Sequence, residues 1–187
     1  MAPPTERYEI LLSGSGGQGI ILGGIVLAEA GIAEGLKVVQ TASYGPESRG
    51  GASRSQVILS REDIDYPGVI RPHFVFVLTQ LAADKYAHTV SPDGFVLADA
   101  SWVEAIPQHL PAPVIALRLS EEAASRFGMA LFANAIGLGF FIERTRVLKP
   151  ESVTEVLGRR VPKHYREANL EAFAFGQELA REKSASG

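Results

Sequence analysis

Apolar residues arrive in two rhythms along this chain: short runs of four to seven, and longer stretches where they recur every three or four positions. Tyr8 to Ser13 (YEILLS) is a run of the first kind, closes on glycines and predicts a strand. From Gln18 to about Glu34 the second rhythm takes over. Ile21, Ile25, Leu27, Ala28 and Ile32 fall on one stripe, which predicts a helix that Gly35 stops. Lys37 to Thr41 (KVVQT) predicts a second strand. Strand, glycine loop, helix and strand follow one another as the opening of a βαβ unit.

A loop rich in turn residues spans Ala42 to Ala52, and further strands are expected at Gln56–Ser60, Phe74–Thr79, Phe95–Ala98 and Pro113–Leu119. Leu81–Tyr86 reads as a short helix. Ser120, with Glu121 and Glu122 after it, reads as the N-cap of a helix that runs, with a break, to about Glu143. Pro150–Leu157 and Arg166–Lys183 complete the helices, the latter with Leu170, Phe173 and Leu179 inward. Alternating strands and helices imply an α/β layered domain whose mostly parallel sheet is covered on both faces. With no repeat, linker or low-complexity tract in view, residues 1–187 are expected to form one domain, with 1–7 and 184–187 as flexible ends.

Composition narrows the chemistry. Of 187 residues 46% are hydrophobic and 21% charged, which is globular usage. A net charge of −3 disfavours a dedicated nucleic-acid binder. Cysteine is absent, which excludes disulfides, a thiol nucleophile and any thiolate-held zinc or iron–sulfur cluster within this chain. The N-terminus lacks the basic and apolar regions of a secretory signal. Ile10–Ala28 is broken by glycines, and Phe127–Ile142 is short for a membrane span and carries Asn134. A cytoplasmic protein is the expectation.

Two loops carry the candidate chemistry. Gly14-Ser15-Gly16-Gly17-Gln18-Gly19 fits G-x-G-x-x-G between a strand and a helix, where bare backbone N–H groups and a helix N-terminus suit a phosphate. The same glycines equally serve tight strand-to-helix packing. No Lys-Ser/Thr pair ends the loop, so it is not a P-loop. Gln40 and Thr41 stand where a nicotinamide-binding fold needs an acidic residue for the ribose. The second loop, Gln40 to Ser55 (QTASYGPESRGGASRS), combines Arg49, Arg54, Glu47, hydroxyls and glycines at the carboxyl end of a strand, the edge where open α/β sheets bind ligands. Its arginines suit bidentate contacts to a phosphate or carboxylate. Alternatively, Glu47 pairs with one of them and the loop packs against another subunit.

Taken together, the Gly14–Gly19 loop, Tyr44-Gly45-Pro46-Glu47-x-Arg49-Gly50-Gly51, Asn134–Gly139 (NAIGLG) and Asn169–Phe173 with Gly176 resemble the gamma subunit, or gamma domain, of 2-oxoacid:ferredoxin oxidoreductases over nearly the whole chain. The second loop, with Ile64-Asp65-Tyr66-Pro67, is most similar to 2-oxoglutarate members. Pyruvate, branched-chain and aryl 2-oxoacid members are the alternatives, together with a stand-alone nucleotide-binding oxidoreductase. Phe127-Gly128-Met129 departs from the Gly-Asn that many members carry near this helix start.

The resemblance implies a Rossmann-like fold and a reaction that turns a 2-oxoacid, CoA and oxidised ferredoxin into an acyl-CoA, CO2 and reduced ferredoxin. For a 2-oxoglutarate member the product is succinyl-CoA. Thiamine diphosphate and the iron–sulfur clusters are then expected on alpha and beta partner subunits, with a ferredoxin-like delta subunit as a further candidate partner. This chain would contribute assembly and a contact to CoA, and the isolated chain would be inactive. The residues assigned to that contact are Gly16, Gly17, Gln18, Gly19, Tyr44, Glu47, Arg49 and Arg54; none is assigned a catalytic or metal-binding role.

Other residues carry less. His73, His88, His109 and His164 have no metal spacing. Asp63 and Asp65 alternate on a short strand or turn. Arg159, Arg160, Lys163, His164 and Arg166 read as a solvated basic linker face, with docking of an acidic partner or a CoA phosphate as the alternative. No G-x-S-x-G elbow occurs, and Asn134 reads as a core hydrogen-bonding residue.

Overall fold

The computed structural model describes residues 7–43 and 52–185. Six strands form one sheet: β1 (Arg7–Gly14), β2 (Lys37–Ser43), β3 (Ser53–Ser60), β4 (Phe74–Val77), β5 (Phe95–Asp99) and β6 (Val114–Leu117). Their order is β2-β3-β1-β4-β5-β6. The pairs β1–β4, β4–β5 and β5–β6 are parallel, and only β3 runs against its two neighbours. Helices α1 (Ile20–Ala33), α3 (Leu119–Phe127), α4 (Ala133–Thr145), α5 (Pro150–Arg160) and α6 (Arg166–Ala185) share the larger core with one face. Helix α2 (Gln80–Tyr86) covers Val75, Val77, Val96 and Ala98 on the other. This is the expected three-layer α/β arrangement, with its C-terminal helices.

The opening βαβ unit is modified. Strands β1 and β2 are not neighbours, because β3 is inserted between them. A hairpin back from β2 places Ser60 opposite both Lys37 and Arg7, so Arg7 belongs to a strand. The stripe expected on α1 is also corrected. Ile32 is 62% exposed, whereas the buried face includes Gly23, Gly24, Leu27 and Gly31. A Cβ at Gly24 would collide with the Ser55 hydroxyl, and one at Gly31 with Leu59. Glycine is thus the contact residue here, and a count of apolar side chains misses it.

Several boundaries shift: β2 runs on to Ser43, β3 starts at Ser53 rather than Gln56, and α5 runs on to Arg160. Thr79 leaves the strand and caps α2, its hydroxyl accepting from Ala82 N at 3.3 Å. The last strand ends at Leu117, and Leu119 is helical. Ser120 is not an N-cap: it lies inside α3 and donates its hydroxyl to Asp99 at 2.5 Å. The wholly buried Asp99 carboxylate also accepts from Ser120 N and Ser101 N, so a residue of the neighbouring strand caps this helix. The basic linker face is corrected too. Arg159 and Arg160 sit in α5 and pair with Glu29 of α1, while Arg166 donates to Gly158 O at 2.5 Å.

Helices α4 and α6 pack backbone to backbone. A Cβ on Gly139 would meet the Phe173 carbonyl, and one on Gly176 the Ile136 carbonyl. Phe140 and Phe141 on α4 are wholly buried, and Phe141 stacks on Phe74 at 4.2 Å between ring centroids. At the end of α4, the Glu143 side chain is 8% exposed and accepts from Arg181 Nε at 3.0 Å and Gln177 Nε2 at 3.2 Å, and also from Arg146.

Gly139→Ala should therefore cost about 3 kcal/mol or more in urea unfolding, since overpacking against rigid backbone has no side chain to displace. Gly158→Ala, whose Cβ would find only Arg166 side-chain atoms at 3.8 Å or beyond, should be neutral or stabilising. Burial pushes the Glu143 carboxyl up, but the bonds and charges of Arg181 and Arg146 outweigh it and hold its pKa below the usual range. A depressed carboxylate contributes stability above its unfolded pKa and loses it as pH falls through the folded value. Glu143→Gln should accordingly unfold more easily than the native chain at pH 7. The gap should close as pH drops below about 4; a constant gap across that range would contradict the assignment.

Candidate functional site at the carboxyl edge of the sheet

The strand ends fix where the two candidate loops meet. In the β1–β3 ladder Ser13 faces Arg54 and Gly14 faces Ser53, and in the β2–β3 ladder Ser43 faces Arg54. The Ser13 hydroxyl donates to Ser53 O at 2.9 Å and ties the start of β3 to the end of β1. Ser15, Gly16, Gly17, Gln18 and Gly19 leave this same edge. Of the residues assigned to the ligand contact, the structure thus brings together Gly16, Gly17, Gln18, Gly19 and Arg54. Tyr44, Glu47 and Arg49 lie outside the described residues, in the segment joining Ser43 to Ala52.

The glycine loop is held by its own groups. Gln18 folds back so that its Oε1 accepts from Ser15 N at 2.7 Å, while its Nε2 lies 3.5 Å from Leu78 O. A Cβ on Gly14 would stand 2.5 Å from that Oε1. Gln18 is therefore a strut of the loop. Gly19 has φ +75° and is the N-cap of α1, which begins at Ile20 rather than Gln18. Its carbonyl accepts from Gly23 N at 2.8 Å and from Asn134 Nδ2 at 2.9 Å. Asn134, 5% exposed near the start of α4, thus makes the core hydrogen bond expected of it. Its Oδ1, against Gly23, has no hydrogen-bond partner among the described residues.

Ser15, Gly16 and Gly17 are exposed, and a Cβ on Gly16 or Gly17 would meet nothing within 4 Å. The turn thus presents bare backbone toward open space beside the N-terminus of a helix, an arrangement suited to an anion. Because β3 alternates, Ser55 faces α1 and the half-buried Arg54 faces the opposite side. There its guanidinium carbon lies 6.0 Å from the Tyr86 ring centroid. Arg54 forms no salt bridge among the described residues.

Gln80 pins the neighbouring segment of this edge, accepting from Glu104 N at 2.9 Å and Ala105 N at 3.0 Å. Large apolar side chains are exposed on Leu81 of α2, on Trp102 just after β5 (57% exposed), and on Met129 and Leu131 before α4. Sequence reading assigned none of these residues a role. Their signal is an apolar residue just beyond a strand or helix end, which the pattern of runs counts as core.

The topology bears on two alternatives. A dinucleotide site takes its ribose partner from the strand beside β1, but that neighbour here is the antiparallel β3. Gln40 and Thr41 on the edge strand instead bond Ser55 and Gln56. No group of three or more His, Asp or Glu residues capable of holding a metal ion occurs among the described residues.

Exposed apolar side chains on a folded α/β chain suit a surface that another chain covers. The family model for pyruvate ferredoxin/flavodoxin oxidoreductase matches residues 9–179. The 2-oxoglutarate synthase subunit KorC of Methanocaldococcus jannaschii is 40% identical over 179 residues, covering 94% of this chain and 95% of that protein. A keto/oxoacid ferredoxin oxidoreductase gamma subunit from Geobacter sulfurreducens superposes with a TM-score of 0.83 at 37% identity, covering 94% of this chain and 97% of that one. The 2-oxoglutarate:ferredoxin oxidoreductase of Magnetococcus marinus, solved with 2-oxoglutarate, coenzyme A and succinyl-CoA bound, superposes with a TM-score of 0.81 at 25% identity, covering 96% of this chain and 32% of that one. The chain belongs to the pyruvate ferredoxin/flavodoxin oxidoreductase family, within which it is a gamma subunit of the 2-oxoacid:ferredoxin type.

Asn134 should discriminate a strut from a spectator. Asn134→Ala loses one hydrogen bond but also removes a buried unpaired oxygen, and should change stability by no more than about 1 kcal/mol. Asn134→Asp turns a carboxylate onto the Gly19 carbonyl and should cost about 2 kcal/mol more than the alanine variant in denaturant unfolding. Equal costs would show that the Gly19 contact is dispensable.

Proposed function

We propose that this chain is the gamma subunit of a 2-oxoglutarate:ferredoxin oxidoreductase, which converts 2-oxoglutarate, CoA and oxidised ferredoxin into succinyl-CoA, CO2 and reduced ferredoxin. The near-full-length similarity to 2-oxoglutarate synthase KorC subunits carries the substrate assignment. A second reading, a branched-chain member, rests on the ketoisovalerate oxidoreductase subunit VorA of Methanothermobacter thermautotrophicus. That protein is 32% identical over 140 residues, but only 28% of its length is matched.

In this reading the whole chain works as one gamma-type unit in the cytoplasm. It docks alpha and beta subunits, and a ferredoxin-like delta subunit where one exists, by the carboxyl edge with Leu81, Trp102, Met129 and Leu131. Thiamine diphosphate and the clusters sit on those partners, ferredoxin is reached only through them, and neither nucleic acid nor membrane is a partner. No helix among the described residues is long and apolar enough to cross a membrane. The backbone of Gly16 to Gly19, with Gln18 as strut, faces the CoA diphosphate. Arg54 adds its charge, and Arg49, with Tyr44 and Glu47 in the joining segment, completes the contact. The observation that supports this most is that an open helix N-terminus and Arg54, which forms no salt bridge among the described residues, belong to one sheet edge.

In the complex reconstituted with its partner subunits, Arg49→Ala and Arg54→Ala should each raise KM for CoA about 10- to 100-fold, the loss of one charge-assisted contact. KM for the 2-oxoacid should stay within about threefold. Unchanged CoA kinetics with weakened co-purification of the partners would make the loop an interface element instead.

A further inference from the structure

At the end of the sheet opposite the glycine loop, a cavity of about 410 Å³ opens where the start of β1, the end of β3 and the turns after α1 and α4 come together. Arg61, Arg146 and Lys149 line it against one carboxylate, Glu34, which is already engaged by Lys149 N at 2.7 Å. Arg146 holds a left-handed backbone at φ +53° and pairs with Glu143. For a bulky side chain this conformation is costly. The Arg61 guanidinium and the Lys149 ammonium form no salt bridge among the described residues.

Two buried residues that carry hydroxyls, Tyr8 and Ser60, line the cavity, and Tyr8 has the larger side chain. Tyr8 is 8% exposed, its ring stacked on His73 at 4.7 Å between centroids. Its hydroxyl makes no hydrogen bond among the described residues, yet the residue lines the cavity. Burial, with Asp93 adding to it, pushes the Tyr8 pKa well above its ordinary value, so this hydroxyl remains a donor at any physiological pH. Leu36, Leu59 and Val147 supply apolar walls. Surplus positive charge, a hydroxyl with no hydrogen-bond partner among the described residues, and apolar walls together describe a receptor for an anion with an organic body.

We propose that this cavity is a second binding site, remote from the carboxyl edge, for a small organic anion: a carboxylate or phosphate on an apolar body, held by Arg61, Lys149 and the Tyr8 hydroxyl. It does not depend on the substrate assignment or on the CoA contact. Calorimetric titration of the full chain with phenyl phosphate, phenylacetate and neutral 2-phenylethanol tests it, the first two separating phosphate from carboxylate as the preferred head group. At least one anion should bind and the alcohol should not. Arg61→Ala and Lys149→Ala should each weaken binding about tenfold or more, and Tyr8→Phe severalfold, while Lys163→Ala, between α5 and α6 and outside the cavity lining, changes nothing. Thermal melting of each variant checks that the fold is retained; for a variant that fails to fold, the remaining ones decide. The absence of binding by either anion at 10 mM (about the weakest affinity the titration detects), equal binding of the alcohol, or affinities indifferent to all three substitutions would each overturn the proposal.

Discussion

Close approach of backbone to backbone is the constraint on which the rest of this fold depends. Helix α4 lies where it does because Gly139 and Gly176 let α4 and α6 touch main chain to main chain, and because Gly137 leaves room for the Phe76 ring. With α4 so placed, Asn134 reaches the Gly19 carbonyl and Phe141 stacks on Phe74. Larger side chains along this seam would lift α4 off the sheet and withdraw Asn134 from the loop. Packing at glycine positions therefore sets the geometry of the turn that offers its N–H groups to an anion.

The site inherits its character from the strand order. Inserting β3 antiparallel between β1 and β2 removes the acidic ribose position of a dinucleotide fold and puts Arg54 opposite Ser13, next to the glycine loop. A scaffold with the outline of a nucleotide-binding domain thereby offers one sheet edge with bare amides, a guanidinium and exposed apolar side chains. Such an edge suits a surface completed by other subunits better than a pocket closed within one chain. The positively charged cavity at the opposite edge is built differently, around a buried tyrosine and loop cations.

Much of this was legible in the residues. The apolar runs at Tyr8, Phe74 and Phe95 locate strands within two residues, because buried parallel strands need continuous apolar sequence. Asn134 was legible as a core hydrogen-bonding residue because a lone amide on an apolar helix has few other uses. What escaped was non-local. The place of β3 between β1 and β2 depends on pairing energies that no single run displays. The buried face of α1 is marked by Gly23, Gly24 and Gly31, which hydrophobic periodicity counts as silent. Ser120 looked like a cap because the acceptor that serves the helix, Asp99, is 21 residues away in sequence.

The central claim is that the carboxyl edge is the face this chain turns toward its complex and toward CoA. Hydrogen exchange read by mass spectrometry tests it most directly, comparing the free chain with the chain assembled with its partner subunits, before and after CoA is added. The account predicts slower exchange across the glycine loop and the start of β3 on assembly, with a further decrease in the loop when CoA is present. Protection confined to the opposite edge around Tyr8 and Lys149, with the glycine loop exchanging as it does in the free chain, would contradict it.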